Sequence, residues 1–154
     1  MRKGIGFGFT SGIITTLGLI VGLNSSTGSQ SVVIGGILII AIADALSDAL
    51  GIHISEEAEN KHTHKEIWEA TICTFLSKFF FSAIFIVPFL LLPLQTAIVL
   101  SVVSGLLLIV VISYFIGREQ KTRTFLVAAE HVLVAIFVII ATHYIGQWVA
   151  TIFS

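Results

Sequence analysis

The sequence predicts an all-α integral membrane protein with five transmembrane helices, its N-terminus in the cytoplasm and its C-terminus outside. Of its 154 residues, 56% are hydrophobic and 11% are charged, whereas a soluble domain would carry about twice that charged fraction. Mean hydropathy is +1.04. Five apolar runs each match the ~20 helical residues that cross a hydrocarbon core. The runs are continuous, unlike the alternating strands of a membrane barrel.

We place these spans within a single domain, residues 1–154. The first follows Arg2 and Lys3, as a signal peptide would, but it is too long, and residues 24–30 offer no convincing cleavage pattern. Pro88 and Pro93 fall late in the third span, where Pro88 predicts a kink. The fourth span carries no charged residue and is assigned to packing. The predicted spans are residues 4–23, 32–54, 67–92, 97–116 and 125–153.

The basic residues predict the orientation. Apart from Lys78, each lies in the N-terminus, the second loop or the fourth loop, and the positive-inside rule places these segments in the cytoplasm. The lone cysteine, Cys73, excludes an internal disulfide and a cysteine-cluster metal site. The net charge of −1 gives no indication of nucleic-acid binding. No prosthetic group is expected. The eight basic residues are Arg2, Lys3, Lys61, Lys65, Lys78, Arg118, Lys121 and Arg123.

Two aspartates, Asp44 and Asp48, lie in the otherwise apolar second span. A carboxylate at bilayer depth costs several kcal/mol, so a protein normally keeps one only where it lines a polar path. A spacing of four places both groups on one face of a helix. The pair therefore points to a cation, a proton, or both. The alternative is a protonated or partnered pair that only holds helices together.

A charged loop, residues 55–66, follows this span directly. On a helical projection Glu59, His62 and Glu66 fall on the face of the two aspartates, although the chain must turn near residues 60–63 to return through the membrane. Such oxygen and nitrogen ligands suit iron(II), manganese or zinc better than sodium. The alternative is an ordinary solvated face. The candidate metal ligands of this loop are Glu56, Glu59, His62 and Glu66.

Three further polar groups lie inside the spans. In the glycine-rich first span, Ser11 and Thr15 either pack against a neighbouring helix or line a pathway. Lys78 either snorkels to the membrane surface or pairs with an intramembrane aspartate, and we expect snorkelling. Glu130 and His131 in the fifth span either relay protons, complete a metal site, or form only a helix–helix hydrogen bond.

Several stretches resemble the vacuolar iron transporter family. Residues 8–23, GFTSGIITTLGLIVGL, are similar to its first-helix signature, and residues 32–55, VVIGGILIIAIADALSDALGIHIS, are similar to its second helix. Residues 74–93, TFLSKFFFSAIFIVPFLLLP, resemble the third helix with its late prolines. The last two spans match in hydropathy and in the Gly-Arg loop at residues 117–118.

This resemblance implies a homodimer that moves iron(II) and often manganese out of the cytoplasm in exchange for protons. Because one chain of five spans can hardly enclose a pathway alone, we expect a two-fold axis between the first helices of two copies. The family handles the metal with a helix-one aspartate, a helix-two methionine and second-loop glutamates. Here Ser11 stands at the aspartate position, Asp48 falls at the methionine position, and the second loop is much shorter. Met1 is the one methionine of the sequence. Carboxylates in place of a thioether shift the expected preference towards manganese, magnesium or calcium.

The first functional hypothesis is therefore a dimeric divalent-cation transporter with proton antiport, in a membrane that the compact loops suggest is a prokaryotic cell membrane. Metal would enter at the acidic loop and pass to Asp44 and Asp48, assisted by Ser11, Thr15 and Glu130. An enzyme is not expected, because the spacing of the two aspartates matches only the last element of a phosphatidyltransferase signature. The other hypothesis is a membrane adaptor or metal sensor that uses the acidic loop for docking.

Overall fold

A computed structural model describes residues 2–119 and 124–153, apart from the side chains of residues 2–4 and 119. This part of the chain is helical and contains no strand. Within these described residues, five helical segments are long and apolar enough to cross a membrane. One of these candidate spans, His64–Leu91, consists of two consecutive helices. The predicted all-α fold with five spans is confirmed. The six helices are α1 (Arg2–Thr27), α2 (Gln30–Glu59), α3 (His64–Ala83), α4 (Ile86–Leu91), α5 (Leu94–Glu119) and α6 (Thr124–Phe153).

The orientation in the membrane stays a prediction. Of the basic residues used for it, Lys121 and Arg123 lie outside the described residues, and the side chains of Arg2 and Lys3 are likewise not described. The single methionine, Met1, also lies outside the described residues.

The segment predicted as a charged loop, residues 55–66, is mostly helical. α2 continues through Glu59 and ends at Asn60, whose φ of 50° is left-handed and terminates the helix. α3 begins after Thr63, which forms a capping box with Glu66. The turn therefore lies within residues 60–63, as expected, and most of the acidic side chains project from helix ends.

Helix α1 lies at the centre of the bundle and packs against α2, α3, α5 and α6. Its fully buried Ile13, Leu17 and Ile20 form the core with apolar side chains from the surrounding helices. Helix α6 contacts mainly α1 and α5, and most of its surface is left open, as expected of a helix that faces lipid. The core residues supplied by the other helices include Val33, Ile37, Phe85, Phe89, Ala97, Ile109 and Ala135.

Pro88 explains the break between α3 and α4, and Pro93 explains the end of α4. Pro88 cannot donate to the Ile84 carbonyl, which instead accepts from the Val87 N–H at 3.2 Å in a tighter turn. Pro93 similarly leaves the Phe89 carbonyl without its helical donor, and the side-chain amide of Gln30 donates to that carbonyl. This bond ties the start of α2 to α4. The kink predicted at Pro88 is confirmed.

Two glycines on α1 allow α3 to approach closely. A Cβ on Gly8 would lie 2.8 Å from the Thr74 carbonyl oxygen and 2.9 Å from the Ser77 Cβ. A Cβ on Gly12 would lie 3.1 Å from the Lys78 carbonyl oxygen and 3.3 Å from its Cα. Because these contacts are with backbone atoms and with a Cβ that is fixed to the backbone, a larger residue forces the helices apart. The crossing holds the polar residue Ser11 of α1 against α3.

We expect Gly8→Ala to lower the free energy of unfolding in detergent by about 1–3 kcal/mol, the usual cost of overpacking. The matched control is Gly35→Ala on α2, where an added Cβ meets no atom within 4 Å and where alanine favours helix by up to about 1 kcal/mol. Denaturant titration followed by circular dichroism measures both. Equal stability of the two variants would contradict the close α1–α3 crossing.

Candidate functional site

A buried lysine on α3 forms the centre of the candidate site. Lys78 is 1% exposed and its aliphatic stem packs against α1, where a Cβ on Gly12 would lie 3.3 Å from the Lys78 Cγ. It belongs to a buried polar stripe on α3 that also contains Thr71, Thr74 and Ser82. The expectation that Lys78 snorkels is wrong. Its face of α3 is turned towards α1 and α2, so the ammonium meets the aspartates before it can reach a surface.

The Lys78 ammonium joins three helices. Its Nζ lies 2.5 Å from Asp44 Oδ2, contacts Asp48 Oδ2, and donates to Ser11 Oγ at 2.9 Å. Ser11 in turn donates its hydroxyl hydrogen to Asp48 Oδ2 at 2.8 Å. The pairing of Lys78 with both aspartates is thus the arrangement that the structure adopts. With all three groups ionised, the site has a formal charge of −1.

The two carboxylates are not equally satisfied. Asp48 Oδ2 accepts hydrogen bonds from both Ser11 and Lys78. Asp44 Oδ2 contacts the Lys78 ammonium at 2.5 Å as an ion pair, and among the described residues no hydroxyl group donates to it. Asp44 therefore keeps more lone pairs available for a cation than Asp48 does.

The site is open on one side. The Asp44 side chain is 30% exposed and that of Asp48 is 22% exposed, although both lie near the middle of the long apolar helix α2. In a bilayer these oxygens cannot face lipid without a large free-energy cost. The open side must therefore meet water, a cation or another protein surface.

The acidic turn holds its candidate ligands in two separate arrangements. His62 Nδ1 lies 2.7 Å from Glu56 Oε2. Glu66 Oε2 instead accepts from the backbone N–H and the hydroxyl of Thr63, both at 2.8 Å. Glu59 is exposed at the end of α2. Within residues 2–119 and 124–153, no three metal-ligating side chains of His, Cys, Asp or Glu converge.

The remaining candidate residues lie apart from the aspartates or bond within their own helix. Thr15 donates to the Ser11 carbonyl at 2.8 Å, one turn from the site. Glu130 is exposed on α6, whose main neighbours are α1 and α5 and not α2 or α3. The structure does not bring Glu130 to Asp44 and Asp48. His131 beside it bonds Ser113 at 2.8 Å, which is the helix–helix hydrogen bond left open by the sequence.

One polar contact near the site was not expected. His53 Nδ1 lies 2.9 Å from Thr71 Oγ1, and its ring packs edge-on against Trp68 with centroids 4.8 Å apart. Because the Thr71 hydroxyl donates to the Ile67 carbonyl at 2.8 Å, His53 Nδ1 is the donor of the first bond. This hydrogen bond fixes α2 against α3 between the aspartates and the α2–α3 turn. The spacing of His53 from Asp48 gives no helical-face signal that could have predicted it.

The geometry defines a multi-pass membrane protein with a charged site formed by three of its helices. A model of the VIT family, the vacuolar iron transporters, matches residues 2–69, which confirms the resemblance to that family over α1, α2 and the start of α3. No curated protein and no solved structure matches significantly. That family consists of metal transporters. The matched range includes Ser11, Asp44 and Asp48 and ends before Lys78.

Proposed function

We propose that this protein is a homodimeric transporter that exports a divalent metal cation of the iron(II) or manganese(II) type from the cytoplasm by proton antiport. The observation that supports it best is the Lys78 ammonium enclosed by Asp44, Asp48 and Ser11. The family match over residues 2–69 supports metal as the cargo. The membrane would be a prokaryotic cell membrane.

The ligand chemistry favours a hard cation. Two carboxylates and a hydroxyl supply oxygen ligands. The contacts of all three groups with the Lys78 ammonium mean that these oxygens surround one position that a cation can occupy. Oxygen sets of this kind suit manganese, magnesium and calcium. The sequence has no methionine besides Met1 and therefore no thioether within a span. We propose manganese(II) as the preferred cargo, with iron(II) as a second one.

The acidic turn would be the entrance to the site. The Glu56–His62 pair and the exposed Glu59 and Glu66 lie at the α2–α3 turn. From Glu56 to Asp48 is eight residues of continuous helix, or about 12 Å at the standard rise. A metal attracted to the turn would thus reach the aspartates along a single helix, with Thr15 one turn further along α1 from Ser11.

Charge compensation gives a reason for proton coupling. The Lys78 ammonium balances one of the two carboxylates and leaves a formal charge of −1. A negative charge at bilayer depth is costly, so a proton would neutralise the remaining carboxylate when the metal leaves. Protons would then move in the direction opposite to the metal.

The open side of the site would face a second copy of the chain. Ala43, Ser47 and Gly51 recur every four residues beside the aspartates and are exposed on α2, and a Cβ on Gly51 meets no atom within 4 Å. Small residues at this spacing allow close helix pairing in membranes. The proposed dimer contact combines this face with the half-buried Ser11 and Thr15 of α1, and it encloses two sites about one axis.

The proposed role of the Glu66 charge at the metal entrance can be separated from the role of Glu66 in capping α3. We expect Glu66→Gln to preserve the bonds to Thr63, because glutamine also forms a capping box, and to change stability by less than about 0.5 kcal/mol. Loss of its charge at the proposed entrance should raise the apparent KM for manganese(II) about threefold. Glu66→Ala should also destabilise α3 by about 1 kcal/mol. An unchanged KM in both variants would restrict Glu66 to capping.

The test of the proposed function is metal flux in proteoliposomes with a pH dye inside. Iron(II), manganese(II), cobalt(II) and calcium are offered to the wild type and to the double variant Asp44→Asn, Asp48→Asn. Metal flux with opposed proton flux, lost in the double variant, is expected. A docking adaptor, which the exposed charges of Glu57 and Glu59 would suit, would instead show no flux of any metal and would tolerate the double substitution.

A further inference from the structure

We propose that Lys78 is a tethered substitute cation, which fills the metal position in the empty transporter and is displaced when metal binds. This inference rests on the proposed transport function. It concerns the step that follows metal release, in which the empty site returns to the side where metal is loaded.

The Lys78 ammonium and a bound metal ion exclude each other. The same Lys78 Nζ lies 2.5 Å from Asp44 Oδ2, contacts Asp48 Oδ2 and lies 2.9 Å from Ser11 Oγ. These are the oxygen atoms that would coordinate a metal. A metal ion held by them would occupy the position of the ammonium, so the two cations cannot be bound together. Metal binding therefore requires the ammonium to swing aside.

The Lys78 side chain is confined to the neighbourhood of the site. Lys78 is 1% exposed, and its stem packs against the α1 backbone at Gly12. Ser82, one turn further along α3, donates to the Gly12 carbonyl at 3.4 Å and holds the same crossing. The ammonium can turn on its flexible four-carbon stem, but it stays beside the site. It is thus present at a high local concentration whenever the metal leaves.

The charge of the empty site also favours a substitute cation. Without the ammonium, the two carboxylates would keep a formal charge of −1 during the return step even after the coupled proton has bound, which is strongly unfavourable inside the membrane. With the ammonium in place and the proton bound, the formal charge is zero. A transporter of this kind can complete its cycle without a second metal ion and thus performs net transport. A site without the lysine would return mainly when reloaded with metal and would be restricted to exchange.

Two assays distinguish net transport from exchange. Proteoliposomes loaded with radioactive manganese(II), at equal pH on both sides, are diluted either into a chelator or into unlabelled manganese(II). Release into the chelator needs the empty site to return, whereas release into unlabelled metal does not. For wild type we expect the two rates to agree within about threefold.

The critical variant is Lys78→Gln, with Lys65→Gln as the matched control, because Lys65 is an exposed lysine of the same helix. We expect Lys78→Gln to retain exchange within about threefold of wild type and to lose net release by at least about tenfold. Lys65→Gln should change neither rate. An equal decrease of both rates in folded Lys78→Gln, or unaffected net release, would overturn the inference.

A second variant provides a test if Lys78→Gln does not fold, as judged by gel filtration. Lys78→Arg keeps the charge and should keep the wild-type ratio of net release to exchange. Because a guanidinium binds carboxylates through a planar fork, it should be harder to displace, and the apparent KM for manganese(II) should rise about tenfold. An unchanged KM would overturn the inference. Absence of exchange by the wild type itself would overturn the proposed function and, with it, this inference.

Discussion

Replacing Asp48 by asparagine is expected to reduce manganese(II) transport at least about 100-fold, more than the ordinary effect of losing a residue that only supports a metal ligand. Asp48 is the carboxylate that both Ser11 and Lys78 contact. Asparagine keeps the shape of the side chain but removes the negative charge and one acceptor oxygen. The measurement is the initial rate of radioactive manganese(II) uptake into proteoliposomes.

The matched control is Glu57→Gln, which neutralises an exposed carboxylate of the same helix and should leave the uptake rate within about twofold of wild type. Comparable uptake by Asp48→Asn and Glu57→Gln would place the metal pathway away from the aspartates. Loss of uptake in both variants would indicate that net negative charge, and not the enclosed site, governs transport.

Replacing Lys78 by methionine is expected to lower the free energy of unfolding by about 3–5 kcal/mol, the usual cost of breaking a buried ion pair by removing one partner. Methionine matches the length of the lysine stem, so packing against α1 changes little. What changes is the charge, because Asp44 and Asp48 lose their common cation. Denaturant titration in detergent, in metal-free buffer, measures the loss.

Adding Asp44→Asn and Asp48→Asn to Lys78→Met should recover most of that stability. Replacing every member of a buried ionic group with uncharged residues is often neutral, whereas removing one member is not. A triple variant as unstable as Lys78→Met would show that the lysine stem, and not its charge, stabilises the bundle. Recovery of stability without recovery of transport would separate the structural role of the charges from their functional role.

The number of spans could be predicted from the sequence because it depends on hydropathy and length, which single residues hardly alter.

The ends of the spans were less predictable. α2 extends five residues beyond the predicted end at residue 54, to Glu59, since helix continuation into water depends on a terminating residue such as Asn60 and not on hydropathy. The capping box of Thr63 and Glu66 was present as a sequence pattern and could have located the start of α3.

The site was predicted in part. The intramembrane aspartates and Ser11 stood out by their residue types, but their common partner depended on the rotation of α3 relative to α2. Buried Thr71, Thr74 and Ser82 recur on the face of Lys78, and this polar stripe could have favoured pairing over snorkelling. The position of Glu130 relative to the aspartates could not be predicted from the sequence. A glutamate within a span suggests a functional role, but its distance from Asp44 and Asp48 depends on how α6 packs on α1 and α5.

Binding of manganese(II) to the purified protein can be measured by electron paramagnetic resonance. Free manganese(II) gives a sharp signal that is lost on binding, so a titration counts sites and gives their affinity. We expect the wild type to bind manganese(II), the double variant Asp44→Asn, Asp48→Asn to lose this binding, and Glu57→Gln to retain it. Equal binding by the wild type and the double variant would contradict the assignment of the metal site to the two aspartates.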